Sequence, residues 1–507
     1  MRNVLRPAIV WVLCLFFPVL VSAQTSPRHN PTWWAKLEHL LQSGVQRAGP
    51  AAASLTVNGN VDVSNECGPQ SETYITLNPA HPSTLAGGSN EIFRLPMRGY
   101  FSSDGGTTWG GVDLPLPPPI GTNGVDFGSD PTLAFDTHGN VFYGYIVVFF
   151  GAAFNTPSHG VSINGTQMAV ARSTDGGQTY PQVTFFSFEG GENHFNDKPM
   201  ITADTNLTSR FRDNVYIAWD AAVGGSSAGG IRLARSTDHG ATFSVRRVDN
   251  SSGPGRSIGA VPFVGPNSEL YVAWNDFANN LIAFNRSLDG GVTFGQQVTI
   301  APKVIPFDIG IPAEFSRRAL VYPACDADRS SGPHRGRLYC SWMDLSAGGV
   351  TDIFLSFSDD RGSHWSAPVA ATDQFSNKLV DRFNQWLSVD AVTGDVNLSF
   401  YDTRNDTTGF RFMTDIYFTQ STDGGVSFLS PNLRVSSVSS NEHDCNGLFP
   451  CPSIDYGNQQ GDYAGLVSFN GVSHPLWTDS RRNQEEKTGV CRPRGLMEEV
   501  FTATIIK

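Results

Sequence analysis

STDGGQTY at residues Ser173–Tyr180 and STDGGVSF at Ser421–Phe428 are two copies of one eight-residue pattern: Ser, any residue, Asp, any residue, Gly, any residue, Thr or Ser, aromatic. Four further copies are SSDGGTTW (Ser102–Trp109), STDHGATF (Ser236–Phe243), SLDGGVTF (Ser287–Phe294) and SDDRGSHW (Ser358–Trp365). Successive copies start 71, 63, 51, 71 and 63 residues apart, a recurrence that marks a repeat architecture. Asp-Gly between strand-like residues is a β-hairpin signal, because glycine supplies the positive φ that the turn needs. The Ser and Asp side chains can accept hydrogen bonds from the turn amides. The final aromatic can fold back onto apolar neighbours. The box is therefore a fold element, and His364 of the fifth copy reads as a substituted turn residue rather than a catalyst.

Each box follows a short apolar strand, such as IRLARS (Ile231–Ser236) or DIYFTQS (Asp415–Ser421). A second strand ending in an aromatic and Asp lies upstream, as in NVYIAWD (Asn214–Asp220), LYCSWMD (Leu338–Asp344) and VNLSFYD (Val396–Asp402). A first strand precedes that one, as in PTLAFD (Pro131–Asp136) and QWLSVD (Gln385–Asp390). Three strands, a hairpin and a fourth strand make a propeller blade. A seventh unit without a box, AGLVSF (Ala464–Phe469), SHPLWTD (Ser473–Asp479) and EVFTATI (Glu499–Ile505), stops short of its outer strand. The alternating segment Ser54–Ser64 is predicted to fill that place and close the ring, since an open edge invites aggregation. The predicted fold is an all-β propeller of four-stranded blades. It has seven blades, or six if the Gly-rich unit around Leu85–Asn90 is not a blade.

The 507-residue chain reads in three parts: 1–23, 24–50 and 51–507. Residues 1–23 carry Arg2 and Arg6, an apolar run interrupted by Pro18, and Val21-Ser22-Ala23, the pattern of a signal peptide, with an uncleaved anchor as the other reading. Residues 24–50 form a leader with a short helical pattern at Trp33–Gln46, and 51–507 form the propeller. The expectation is an exported, monomeric protein with no membrane span once the signal is removed. A net charge of −12 and the lack of a basic run argue against nucleic acid. Six cysteines follow the signal, an even number that favours disulfides in an exported chain. Ring closure suggests Cys67 with Cys491. Neighbouring strands of one blade suggest Cys325 with Cys340, and proximity suggests Cys445 with Cys451.

Hairpins on one face leave the other to the loops that enter first strands and leave second strands. Loops around an axial pocket usually carry function. An Asp at the end of the second strand recurs at Asp220, Asp276, Asp344, Asp402 and Asp479, and recurrence argues for a shared structural role. Residues that break the repeat are the stronger candidates: Arg382, Arg404, Arg481, Asp381 and Tyr463. No cofactor is called for. Asp326 with Asp328, and Asp455 near Asp462, lack EF-hand spacing and read as solvated acidic loops rather than calcium ligands.

The eight-residue pattern resembles the Asp box, or BNR repeat, of the sialidase superfamily, over most of residues 70–430. The resemblance implies an exported propeller with a glycan-linked function. It implies arginines on a substrate carboxylate, here Arg382, Arg404 and Arg481, because planar guanidinium groups bind carboxylates by paired hydrogen bonds. It also implies an acid/base Asp, here Asp381, and a Tyr nucleophile or charge stabiliser, here Tyr463. FRLP (Phe93–Pro96) is similar to the family's Phe/Tyr-Arg-Ile-Pro motif and adds Arg94, although it falls only eight residues before the first box. Two functions stay open on the sequence: a sialidase-like glycoside hydrolase acting on an acidic glycan, and a non-catalytic propeller that binds glycan or protein.

Overall fold

The computed structural model describes residues 55–66, 69–91, 95–117, 126–150, 163–190, 196–221, 230–250, 257–314, 318–375, 377–443, 460–481 and 498–507. These residues form seven antiparallel sheets around an axis, with no helix among them. Blade 1 runs Gln70–Asn78, His81–Glu91, Arg98–Ser102 and Gly110–Asp113, paired in that order from the axis outward. The first strands of blades 2 to 6 are Asp126–Phe135, Asn196–Ala203, Ser257–Val264, Ala324–Ala327 and Arg382–Val389.

Blade 7 combines Gly465–Phe469, Val472–Asp479 and Glu499–Thr502 with strands from the start of the chain. Val61 pairs with Thr502 and Asp62 with Phe501, while Thr56 pairs with Ile506 and Val57 with Ile505. The ring is thus closed by both ends of the described chain, and the Gly-rich unit at Leu85–Asn90 lies within the second strand of a complete blade. One feature was not foreseen: Asp308–Ile309 pairs with Ala319–Leu320 between blades 4 and 5.

The boxes join third and fourth strands, and their hydrogen bonds explain their composition. In the first box, Ser102 Oγ accepts from Gly106 N (3.0 Å) and donates to Asp104 Oδ1 (2.8 Å). Asp104 Oδ1 accepts from Thr107 N and Thr108 N, and Thr108 Oγ1 donates to Oδ2. Gly105 and Gly106 sit at φ 71° and 83°, where a Cβ is disfavoured. In the fifth box His364 takes the hydroxyl's place, its Nδ1 2.6 Å from Asp360 Oδ2. The closing aromatics pack between blades: Phe243 stacks on Phe186 at 4.6 Å, and Trp365 meets Phe284 edge-on.

Second strands are buried on both faces and carry the largest core side chains, including Trp219, Trp274, Trp342 and Trp477. Cys325 and Cys340 form the disulfide expected between the first two strands of blade 5. Cys67, Cys445, Cys451 and Cys491, the leader helix and Arg94 lie outside the described residues.

Candidate functional site

Five first strands share an irregularity where they enter the ring. The register of each slips against its second strand, between Ser71/Tyr74, Ser129/Thr132, Asp197/Met200, Ile258/Val261 and Phe383/Trp386. Each slip holds one residue in the left-handed region: Glu72 (φ 53°), Asp130 (61°), Lys198 (49°), Gly259 (68°) and Asn384 (48°). Gly461, at 79°, occupies the corresponding place before the first strand of blade 7. A bulge turns one side chain away from the pleat. Left-handed backbone at a non-glycine residue stores strain on the order of 1–3 kcal/mol, and such residues cluster at functional sites. Here the bulges send several of these side chains into one buried cluster, on the face opposite the boxes.

Lys198 is its centre. Its Nζ lies 3.0 Å from Glu72 Oε1 and 3.7 Å from Asp130 Oδ1, and it also contacts Asp462. One cation from blade 3 thereby joins acids of blades 1, 2 and 7. Asn90 connects two of them, donating to Glu72 Oε2 and accepting from Asp130 N. Tyr463 lies beneath the lysine, 5.4 Å from Nζ to ring centroid, and donates to Pro131 O. Asn384 donates to Gly461 O.

The acids of this cluster are held in opposite states. Burial raises the carboxyl of Asp130, but Lys198 overrides it and holds Asp130 below the usual carboxylate range. Asp197 is driven well above that range by burial and by the charges of Asp130 and Asp220. Asp220 is also driven well above it, mainly by burial, despite the Lys198 charge. Lys198 stays charged: burial opposes this, but Asp130 and Glu72 outweigh it. Burial together with Glu72 and Asp130 keeps the Tyr463 phenol neutral.

Asp220 departs from its counterparts at the ends of the other second strands. Asp344 caps a loop, accepting from Val304 N and Ile305 N, and burial raises it to about 6. Asp276 accepts from Asn279, Asp402 holds Arg382 and Arg404, and Asp479 holds Arg481. These four are each bonded within the protein, two to loop groups and two to arginines. Asp220 is 2% exposed, yet neither of its carboxyl oxygens has a partner at hydrogen-bonding geometry. Asp197, its cross-strand partner, is the partly exposed acid of the cluster.

The residues singled out in the sequence fall in different places. Tyr463 is in the axial cluster. Arg382 and Arg404 come together in blade 6, both on Asp402. Arg382 also bonds Asp352 and Asp373 O, and Arg404 bonds Asp373 and Asn432. Arg404 stacks on Tyr417 at 3.8 Å and lines a 530 Å³ cavity between blades 5 and 6 with Phe375, Lys378 and Arg434. Asp381 pairs with Arg411 at 2.7 Å and accepts from Thr351 N, and burial raises its carboxyl despite Arg411. Arg481 clamps Asp479 with two bonds, reaches Ser437 and Asn60, and lies over Phe501. The three arginines are thus ion-paired to protein acids, Arg382 and Arg404 on Asp402 and Arg481 on Asp479.

Glu72 and Asn384 were missed, although a signal existed. Aligning the first strands puts Glu72, Asp130, Lys198, Gly259, Asn384 and Gly461 in one column, two residues before Tyr74, Thr132, Met200, Val261, Trp386 and Tyr463.

No family model and no curated protein sequence matches this chain. Solved structures with a similar fold include the leech intramolecular trans-sialidase complexed with 2,7-anhydro-Neu5Ac (13% identity, 74% of this chain and 71% of that one, TM-score 0.47). A protein of unknown function from Dyadobacter fermentans is 12% identical over 90% of this chain and 100% of that one, with TM-score 0.45. An α-L-arabinofuranosidase from Fusarium graminearum is 14% identical over 72% and 98%, with TM-score 0.42.

Proposed function

We propose that the protein is an exported glycoside hydrolase whose reaction centre is the axial acid cluster. The observation that carries this reading is the grouping of Asp130 with the cross-strand pair Asp197 and Asp220, Lys198 holding the Asp130 carboxyl below the usual range and burial driving the other two above it. Neighbouring carboxyl groups with pKa values driven apart divide the labour of general acid–base hydrolysis. Asp197, the one of the three whose residue is not fully buried, is the proton donor to the leaving glycosidic oxygen. Burial and the Asp130 charge keep its pKa raised. Asp130 is the anion that faces developing positive charge, and Lys198 keeps Asp130 ionised. Tyr463 remains a neutral member of the site. Arg382, Arg404 and Arg481 are left out of this reading because each is ion-paired to a protein carboxylate, and so an acidic substrate is not required by it.

A panel of fluorogenic sialosides, uronides and arabinosides tests the proposal. The expected result is turnover of at least one. For that glycoside, Asp197→Asn should lower kcat by about 10²–10⁴ with a poor leaving group and far less with a good one, which needs no proton donor. If no glycoside is turned over, or if Asp197→Asn loses both leaving groups equally, the assignment fails. The non-catalytic reading has its own observation, the cavity beside Arg404, Lys378 and Phe375. Glycan binding without turnover, abolished by Phe375→Ala, would establish it.

A further inference from the structure

The box face carries a group of side chains that neither the ring nor the proposed reaction explains. Asp136 and His138 lie in the turn between the first two strands of blade 2, Asp213 lies in the equivalent turn of blade 3, and His239 lies in the blade 3 box. His239 Nδ1 is 3.2 Å from Asp136 Oδ2, and His138 Nδ1 is 3.2 Å from Asp213 Oδ2. The two imidazoles meet edge to face, with centroids 5.3 Å apart. One ligand atom each from Asp136, His138 and His239 lies within 4.8 Å of the others.

Each carboxylate commits one oxygen to the turn and turns the other toward a histidine. Asp136 Oδ1 accepts from His138 N and Asn140 N, and Asp213 Oδ1 accepts from Thr137 N and Thr137 Oγ1. The histidine-facing oxygens also accept from Asn140 Nδ2 and Arg212 Nε, which fixes their direction. The carboxylates are buried, while the histidine side chains are 54% and 40% exposed and free to adjust. Four of the six boxes have glycine where the third has His239, a position with φ of 55° that disfavours any side chain.

We propose that Asp136, His138 and His239 bind a divalent transition metal ion, zinc by preference, with Asp213 as the carboxylate that orients His138 or as a fourth ligand. Imidazole with carboxylate is a zinc-type donor set, whereas calcium and magnesium take oxygen alone. Tetrahedral zinc with bonds of about 2.0–2.2 Å needs ligand atoms about 3.3 Å apart, so the exposed rings close the set by moving inward by roughly 1 Å. A carboxylate on the far nitrogen of a metal-bound histidine is a recurrent orienting device. The ion would clamp blade 2 to blade 3.

The test uses the full chain, stripped with chelator and titrated with Zn²⁺ calorimetrically and with Co²⁺ by visible absorption. The expected result is one saturable site per chain, a Co²⁺ ligand-field band, and a Tm that rises with Zn²⁺. His239→Gly restores the residue found in most boxes, so it folds, and it should weaken binding at least 30-fold and abolish the Tm rise. His138→Ala should do the same. A wild-type chain that takes up neither ion, or a His239→Gly chain that binds as wild type does, overturns the proposal.

Discussion

Lys198 Nζ, contributed by blade 3, lies 3.0 Å from Glu72 Oε1 of blade 1, with the acids of blades 2 and 7 around the same nitrogen. Removing one member of a buried ion network leaves uncompensated charge, which is strongly destabilising. Lys198→Met should therefore lower stability by about 3–5 kcal/mol, read by urea unfolding at pH 7. Lowering the pH should narrow the gap, because protonating Asp130, which Lys198 holds below the usual carboxylate range, removes a charge that the lysine compensated.

Asp220→Asn is expected to act in the opposite sense. The folded-state pKa of Asp220 is raised, so its contribution to stability is fully present below the unfolded value of about 3.9 and lost as pH rises toward the folded value. An amide escapes that loss. At pH 7 the variant should be at least as stable as the wild type, as measured by urea unfolding. A destabilised variant at pH 7 would mean that Asp220 is a structural residue like Asp402.

The boxes offer a separate test on the outer rim. Burial raises the Asp289 carboxyl slightly, but the Thr293 hydroxyl and amide lower it to about 2. Its contribution is thus present above pH ~3.9 and lost as pH falls toward 2. Asp289→Ala removes a knot of hydrogen bonds from Val292, Thr293 and Ser287 and should cost about 1–3 kcal/mol at pH 7. The deficit relative to wild type should shrink in acid, as measured by thermal unfolding across that range.

Arg481 reports on ring closure. Besides Asp479 it holds Asn60, which lies between the two N-terminal strands that complete blade 7. Arg481→Ala should speed amide exchange selectively at Thr56–Asp62 and Glu499–Ile506. Uniform exchange across all blades would assign it no special place in closure.

The Cys325–Cys340 bridge spans 15 residues. Replacing both cysteines by alanine should cost about 3 kcal/mol, the chain-entropy value for a loop of that length, measured by unfolding in non-reducing buffer.

The ring was legible in the sequence because its information is periodic. Six boxes fixed the hairpins, and the alternating Ser54–Ser64 segment pointed to the vacant edge beside Glu499–Ile505. The axial site was harder to read for a physical reason. Its column holds Glu72, Asp130, Lys198, Gly259, Asn384 and Gly461, and what they share is a left-handed backbone, not a side-chain type. Asp130, Asp197 and Lys198 do not break the repeat in any way that singles them out in the sequence, and nothing in their spacing says that they share one centre. Arg382, Arg404 and Arg481 stood out for breaking the repeat. Their partners, Asp402 and Asp479, belong to the repeat, so pairing to the scaffold could not be told from readiness for a ligand. Asp220 shows the reverse case, a repeated residue that lacks the bonds its counterparts make.

The shared last sheet sets an order on how the molecule comes into being. Thr56 and Val61 are made long before their hydrogen-bonding partners, Ile506 and Thr502. However far the middle blades have progressed, the circle cannot lock until that later segment has emerged. The emerging chain must carry the unmatched Thr56–Asp62 segment until Glu499–Ile506 follows, and truncation before Glu499 would leave every copy permanently ajar.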